Sequence, residues 1–339
     1  MCSEIFQIIK KEKKMFVLGL QGSPRKNGNT DILLSAFMET AGQQGAETDI
    51  INVYKQKIEP CIECGVCEKK GICSINDEMN QEIYPLLRRA DVVVLASPIF
   101  FYNVTAPLKA LIDRTQTFWS RKYRLNVEDP RRKYRKGFLL AIGATKGKTL
   151  FHGTIATAKY FYDAIGASSL GALTYPKIEE RGEIETHPTA LSDTKQKALE
   201  IVSPLLKRKK ILFACNENAC RSQMAAAFAH YYAGDTIEAV CGGSRPAESV
   251  HPNMVQVMEE MGIDMGFISP QTIDKAIVHV HPDIIVTMGC GEQGCPVIPG
   301  ARKLDWDIED PSGKSIEVMR QVRDYILKRV QDLAQSFNQ

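Results

Sequence analysis

The apolar run Ile211-Leu212-Phe213-Ala214 stops at Cys215, and Arg221 stands six positions later with Ser222 directly behind it. An uninterrupted apolar run of this length fits a buried parallel strand, and the alanine-rich stretch from Gln223 to Tyr232 fits the helix that follows. The loop between them then sits at a helix N-terminus. There, unpaired backbone N–H groups point one way and the aligned peptide dipoles favour negative charge. Arg221 adds a planar, permanently charged fork suited to a tetrahedral oxyanion. A thiol at Cys215 faces a field that favours its anionic form, which makes it a candidate nucleophile. The Ser222 hydroxyl is placed to donate to that sulfur and later to a leaving group.

A chain of 339 residues predicts two domains at roughly 100–200 residues each. With 44% apolar and 24% charged residues, it has the composition of a globular protein. No stretch approaches the roughly 18 apolar residues of a membrane span, and residues 1–14 lack the apolar centre of an export signal. The expectation is a cytoplasmic protein. A net charge of +3 is too small to argue for a nucleic-acid or membrane partner. Ten cysteines in a chain without an export signal point to metal or redox chemistry, not to a disulfide scaffold.

Residues 15–208 are expected to form the first domain. Apolar strands at 16–21, 48–53, 92–96, 137–143 and 169–174 alternate with helical patterns at 31–42, 81–89, 106–118 and 154–165. That alternation predicts a doubly wound parallel sheet with a flavodoxin-like strand order and a ligand beyond the strand C-termini. The first strand ends in Gly22-Ser23-Pro24-Arg25-Lys26-Asn27-Gly28-Asn29-Thr30. Ser23, Arg25, Asn29 and Thr30, with the following helix N-terminus, make a phosphate cradle. The Gly-x-Gly-x-x-Gly spacing of a dinucleotide site is missing, and a hydroxyl-rich loop suits a single terminal monophosphate such as that of FMN. After the third strand, Pro98, Ile99, Phe100, Phe101, Tyr102 and Asn103 supply apolar rings and backbone amides that suit an isoalloxazine, and Gly143-Ala144 follow the fourth strand at the same edge.

Cys61, Cys64, Cys67 and Cys73 are separated by two, two and five residues, close enough for one tight loop to turn several thiolates onto an inorganic centre. Spacing alone does not select the occupant. An iron–sulfur cluster, a structural zinc and metal-free thiols all remain open.

Residues 209–335 are expected to form the second domain, with further strands at 236–240 and 283–288, helices at 253–261 and 316–334, and the glycine-rich segment Gly289-Cys290-Gly291-Glu292-Gln293-Gly294-Cys295 after one strand end. The order of these elements resembles the four-stranded parallel sheet of a phosphatase fold.

The loop Cys215-Asn216-Glu217-Asn218-Ala219-Cys220-Arg221-Ser222 resembles the phosphate loop of the low-molecular-weight tyrosine phosphatase fold. With Cys290 and Cys295 it resembles that fold's arsenate reductase branch. A phosphatase needs one cysteine, whereas reduction of As(V) to As(III) takes two electrons that a second thiol can supply by forming a disulfide. The resemblance implies an arsenate or phosphate-like oxyanion on Arg221, Asp310 as the acid for the departing oxygen, and a relay from Cys215 through Cys290 and Cys295 to thioredoxin or another thiol reductant. The gap between Cys290 and Cys295 is shorter than in thioredoxin-coupled members.

The loops at 22–30, 98–103 and 143–145 are similar to those of the NADPH-dependent FMN reductase family. This similarity implies bound FMN, NAD(P)H as co-substrate and a homodimer. The cysteine run resembles the compact motif of iron–sulfur flavoproteins, which implies a [4Fe-4S] cluster on Cys61, Cys64, Cys67 and Cys73. A tyrosine phosphatase fused to a flavin reductase, and a non-catalytic redox sensor, are the competing readings.

Overall fold

The computed structural model of the chain describes residues 15–278, 280–289 and 298–337. It divides into two compact units. One comprises Met15–Asn126 and Tyr134–Leu206, and the other comprises Val127–Lys133 and the chain from Lys207 on.

The first unit runs β1 (Phe16–Gln21), α1 (Asn29–Gln43), β2 (Glu47–Asn52), the short α2 (Val66–Lys70), α3 (Tyr84–Arg89) and β3 (Val92–Pro98). It continues through α4 (Ala106–Arg114), α5 (Gln116–Tyr123), β4 (Lys136–Gly143), α6 (His152–Ala164), β5 (Ser168–Pro176) and α7 (Ala190–Leu205). The strand order is β2-β1-β3-β4-β5, with every pairing parallel. This is the flavodoxin-like order expected from the alternation of strands and helices. β1 and β3 are apolar because both faces are covered; Val17, Leu18, Leu20 and Val92 through Ala96 have no exposed surface. The expected helix at 106–118 is two helices that meet at Thr115, whose hydroxyl turns back onto the Ile112 carbonyl at 2.6 Å.

The second unit runs β6 (Lys209–Cys215), α8 (Arg221–Ala233), β7 (Ile237–Gly243), α9 (Pro252–Glu259), α10 (Ile273–Val278), β8 (Ile284–Met288), β9 (Arg302–Asp305) and α11 (Ile316–Gln335). Its order is β7-β6-β8-β9, again parallel throughout. The core between this sheet and α8, α9 and α11 is built from Phe213, Met224, Phe228, Met254, Val257, Met288, Trp306, Met319 and Ile326. Residues 127–133 join this unit through a parallel bridge, in which Glu128 N donates to Gly262 O at 2.7 Å and Asp264 N donates to Glu128 O at 2.9 Å. Among the described residues, no helix is long and apolar enough to cross a membrane.

The centre of the first sheet is closely filled. A Cβ on Gly137 would lie 2.3 Å from Tyr162 Cδ1, and the Tyr162 hydroxyl is held by donation to Phe138 O. The ring therefore has no room to withdraw. Gly137→Ala is expected to destabilise the first unit by about 1–3 kcal/mol, checked by chemical denaturation; an unchanged unfolding midpoint would show that the ring yields freely.

Candidate functional site

β6 leaves the second sheet between β7 and β8, so Cys215 stands beside Gly243 on one neighbour and Met288 on the other. The loop that follows is stitched along its outer side. Ser244 N donates to Cys215 O at 3.2 Å, Arg245 N to Asn216 O at 2.8 Å, Ala247 N to Glu217 O at 3.0 Å and His251 N to Ala219 O at 3.1 Å. In a planar trans peptide the carbonyl and the next N–H point in opposite directions. Turning four carbonyls outward therefore turns the amide hydrogens of residues 216, 217, 218 and 220 toward the inner side of the loop. Asn218 N already donates to Cys215 Sγ at 3.2 Å. Gly243 allows the stitching: a Cβ there would lie 2.6 Å from Asn216 O and 2.9 Å from Asn218 N.

Cys215 is buried at 2% exposure, with its sulfur 3.0 Å from Ser222 Oγ. Arg221, the first residue of α8, donates to Asp310 Oδ2 at 2.6 Å and to Ile308 O at 3.1 Å. The expected nucleophile, cation, hydroxyl and acid therefore lie at one sheet edge. The two other described thiols near the loop behave differently. Burial, together with the charge of Cys215, pushes the Cys220 thiol up to about 12, and burial pushes Cys241 up to about 12 as well. Both are thereby held in the protonated form at neutral pH. Cys290 and Cys295 lie outside the described residues. The chain leading toward them leaves β8 at Met288 and passes Gly289, where φ is +69° and a Cβ would stand 2.9 Å from an Arg221 guanidinium nitrogen.

In the first unit the loop after β1 closes on itself. Asp31 accepts from Gln21 Nε2 at 3.1 Å and Asn27 N at 2.7 Å, while Ser23 Oγ accepts from Arg25 N at 3.2 Å. Ser23 and Thr30 are buried, and Arg25 is exposed. Gly28 lets the turn fold back, since a Cβ there would sit 3.0 Å from Arg25 Cβ. The amide of Asn29 is engaged elsewhere, donating to Glu180 O at 2.7 Å and accepting from Ile184 N at 3.2 Å. It ties the cradle to the 180–184 segment. At the same sheet edge, Phe100 and Asn103 exchange backbone bonds at 2.9 and 3.0 Å. The two residues between them, Phe101 and Tyr102, have φ of +47° and +62°. Bulky residues rarely adopt that conformation, and it costs about 1–3 kcal/mol each. Pro98 and Ile99 enter this turn half-buried, and all three aromatic rings are exposed. Gly143 ends β4 against Leu150 and Ile99, and Ala144 beyond it is exposed.

Cys61, Cys64, Cys67 and Cys73 are free thiols on one loop. Cys64 Sγ lies 3.1 Å from Ser74 Oγ, and Ser120 Oγ donates to Cys67 Sγ at 3.5 Å. The hydrogen bond from Ser74 holds the Cys64 thiol below its usual range. Among the described residues, no three His, Cys, Asp or Glu side chains gather as metal ligands. The base of the loop is fastened by residues without a local motif to reveal them. Arg114 NH1 donates to Asp77 Oδ2 at 2.7 Å and Glu59 O at 2.8 Å, and its NH2 donates to Asp77 Oδ1 at 3.0 Å and Ile75 O at 3.2 Å. Glu59 N donates to Asp77 Oδ2 at 2.9 Å.

The family model of the NADPH-dependent FMN reductases matches residues 15–159, and that of the low molecular weight phosphotyrosine protein phosphatases matches residues 210–339. Over 208 residues the chain is 29% identical to an iron–sulfur flavoprotein of Methanosarcina thermophila, covering 58% of this chain and 99% of that protein. It is 36% identical over 126 residues to a glutaredoxin arsenate reductase of Synechocystis, covering 37% of this chain and 95% of that one. It is 35% identical over 123 residues to arsenate reductase 2 of Staphylococcus epidermidis, covering 36% and 92%. The chain carries a domain of each kind, the FMN reductase one first in sequence and the phosphatase one second. Its second unit falls in the arsenate reductase branch, and the anion loop, Arg221 and Asp310 described above lie within the matched phosphatase region.

The Arg114–Asp77 pair in the FMN reductase domain gives a pH-dependent expectation. Burial alone would raise the Asp77 pKa, but the Arg114 guanidinium and the Glu59 and Met79 amides outweigh it and hold the carboxyl below its ordinary value. A depressed folded value stabilises the protein above the unfolded carboxyl range, and that contribution is lost as pH falls through it. Hydrogen-exchange protection of residues 59–77 should therefore fall as pH drops below about 4. Arg114→Met, which leaves the half-buried Asp77 carboxylate with only its backbone donors, should cost about 1.5–3 kcal/mol at neutral pH and weaken that pH dependence; thermal melts across pH check both.

Proposed function

We propose that the second domain reduces arsenate to arsenite and that the first is an FMN-dependent NAD(P)H oxidoreductase. The observation that carries the arsenate half is the burial of Cys215 Sγ under inward-facing amides, with Ser222 at 3.0 Å and the Arg221–Asp310 pair at 2.6 Å at the same site.

In the proposed reaction, arsenate displaces the Asp310 carboxylate from Arg221 and is held by the guanidinium and the loop amides. The Cys215 thiolate attacks arsenic, and Asp310 protonates an oxygen that leaves as water. The Cys290 thiolate then attacks Cys215 Sγ. An S–S bond forms, the S–As bond breaks, and its electron pair stays on arsenic, so As(V) becomes As(III) while two thiols become one disulfide. Cys295 attacks Cys290, frees the Cys215 thiolate and leaves a Cys290–Cys295 disulfide for an external dithiol such as thioredoxin or glutaredoxin.

In the first domain, Ser23 and Thr30 with the α1 N-terminus would hold the FMN phosphate, and the strained 100–102 turn with Gly143 and Ala144 would face the ring. The tight Gly28 turn fits a phosphate cradle. Bound flavin supplies hydride transfer with NAD(P)H. The four loop cysteines have the donor chemistry of an iron–sulfur centre, but Cys64 and Cys67 engage separate hydroxyls, and the proposed reaction does not pass through the four.

Cys290→Ser should abolish catalytic arsenate turnover, measured as arsenite formed in the presence of a dithiol reductant, while slow hydrolysis of aryl phosphates by Cys215 persists. Unchanged arsenate turnover would reject the relay, and fast aryl phosphate hydrolysis in the unaltered protein would favour a phosphatase. For the first domain, Ser23→Ala combined with Thr30→Val should weaken FMN binding at least tenfold, since hydrogen bonds to a charged group contribute roughly 1.5–3 kcal/mol each. Riboflavin, which lacks the phosphate, should bind both forms alike; equal losses for the two flavins would exclude this cradle.

A further inference from the structure

The hydrogen bond between Cys215 Sγ and Ser222 Oγ has two possible directions, because a thiol and a hydroxyl can each donate or accept. Which way the proton lies decides whether the sulfur is supported as a thiolate. The answer comes from a residue that touches neither the sulfur nor the oxyanion loop's centre.

Asn218 has no exposed surface and holds a left-handed backbone conformation with φ of +52°, which Asn tolerates better than most residues. Its Oδ1 faces two groups that can only donate toward it, Gln223 Nε2 at 3.1 Å and Gln271 N at 2.9 Å. A carboxamide oxygen accepts two hydrogen bonds, so this end is saturated. Turning the amide over would set its NH2 group against two N–H donors, leaving buried donors unsatisfied at about 1–3 kcal/mol each. The amide orientation is therefore fixed by its surroundings. Its Nδ2 must face Ser222 Oγ, at 2.8 Å, and the same side chain also hydrogen-bonds the Cys241 thiol.

Ser222 Oγ has one hydrogen. It accepts from Asn218, so its own proton is left for Cys215 Sγ, where Asn218 N arrives as a second donor at 3.2 Å. Gln223 itself is buried at 6% exposure. Its Nε2 also donates to Ser269 O at 3.3 Å, and Gly243 N donates to Gln271 O at 2.9 Å. The segment 269–271 therefore anchors the outer end of the chain of bonds.

We propose that Gln223 is a positioning residue. By holding the Asn218 amide in one orientation, with Gln271 N, it polarises the relay Gln223–Asn218–Ser222–Cys215 so that the serine proton is always donated to the sulfur. The inference rests on the reading of Cys215 as the nucleophile and adds the residue that sets the proton's direction.

The test is the rate of Cys215 alkylation by iodoacetamide across pH, followed by mass spectrometry of the full-length chain, with no substrate present. Ser222→Ala should slow alkylation at neutral pH by about tenfold, the weight of one hydrogen bond to a charged group, with the rate recovered at higher pH. Gln223→Met, an unbranched replacement without a donor, should shift the profile in the same direction by a smaller amount. The double variant should be no slower than Ser222→Ala alone, because the glutamine acts only through the serine. A wild-type profile for Gln223→Met, or a double variant slowed by the product of the two single effects, overturns the proposal. If Gln223→Met does not fold, exchange of the Asn218 side-chain amide hydrogens in the unaltered protein decides instead: slow exchange supports the locked orientation, and exchange at the rate of a free amide overturns it. Failure of the nucleophile assignment reads out separately, as arsenate turnover that survives Cys215→Ser.

Discussion

Parallel strand pairing is the constraint on which both units depend. In a parallel sheet every strand ends at the same edge, and each crossover helix begins there, so loop amides and positive helix ends collect along one line. In the second unit this sets Cys215 between Gly243 and Met288 and starts α8 at Arg221. In the first unit it sets the Ser23 loop, the Phe100–Asn103 turn and Gly143 at the ends of β1, β3 and β4, which are adjacent strands. Neither site needs a dedicated scaffold, because the sheet order supplies it.

The edge gives position, and hydrogen bonds off the strands give orientation. The anion loop is shaped from outside, by the 244–251 segment taking its carbonyls, and closeness of that segment requires a residue without a side chain at Gly243. The cysteine loop of the first unit is held at its base by a guanidinium whose side chain is fully buried. Isolating such a charge from water is costly unless it is paired and hydrogen-bonded. Arg114 meets that condition with a bidentate carboxylate and two carbonyls, so the loop's two ends are fastened whatever its sulfurs do.

Elements with strong local chemistry were legible in the sequence. The apolar run at 211–214 ending in Cys215, the hydroxyl-rich loop after β1 and the alternation of strands and helices each depend on residues close together in the chain. The elements that escaped depend on partners far away. β9 reads Arg302-Lys303-Leu304-Asp305, with its charged side chains exposed at the sheet edge, so it carries no apolar pattern to mark it as a strand. Thr115 breaks a helix through a side-chain bond to the backbone. Arg114 lies 37 residues from Asp77, and Gln271 lies 53 residues from Asn218. Nothing in the spacing of either pair marks them. Asn29 shows the opposite case: its residue type suited a phosphate, yet its amide is spent on a segment more than 150 residues away.

In the proposed reaction the Arg221–Asp310 pair links binding to chemistry. The guanidinium is paired with Asp310, a carboxylate more than half exposed, and donates to the Ile308 carbonyl. A doubly charged oxyanion, as proposed above, would be a stronger partner for the same fork, since it brings more charge than a single carboxylate. Once it takes the guanidinium, Asp310 loses its cation and faces an anion instead. In that proposal the residue paired with Arg221 is also the one placed to serve as the acid for the departing oxygen. The proposed guard of Arg221 and the proposed acid are the same group, and exchange of partners at a single arginine would be enough to hand Asp310 from one task to the other.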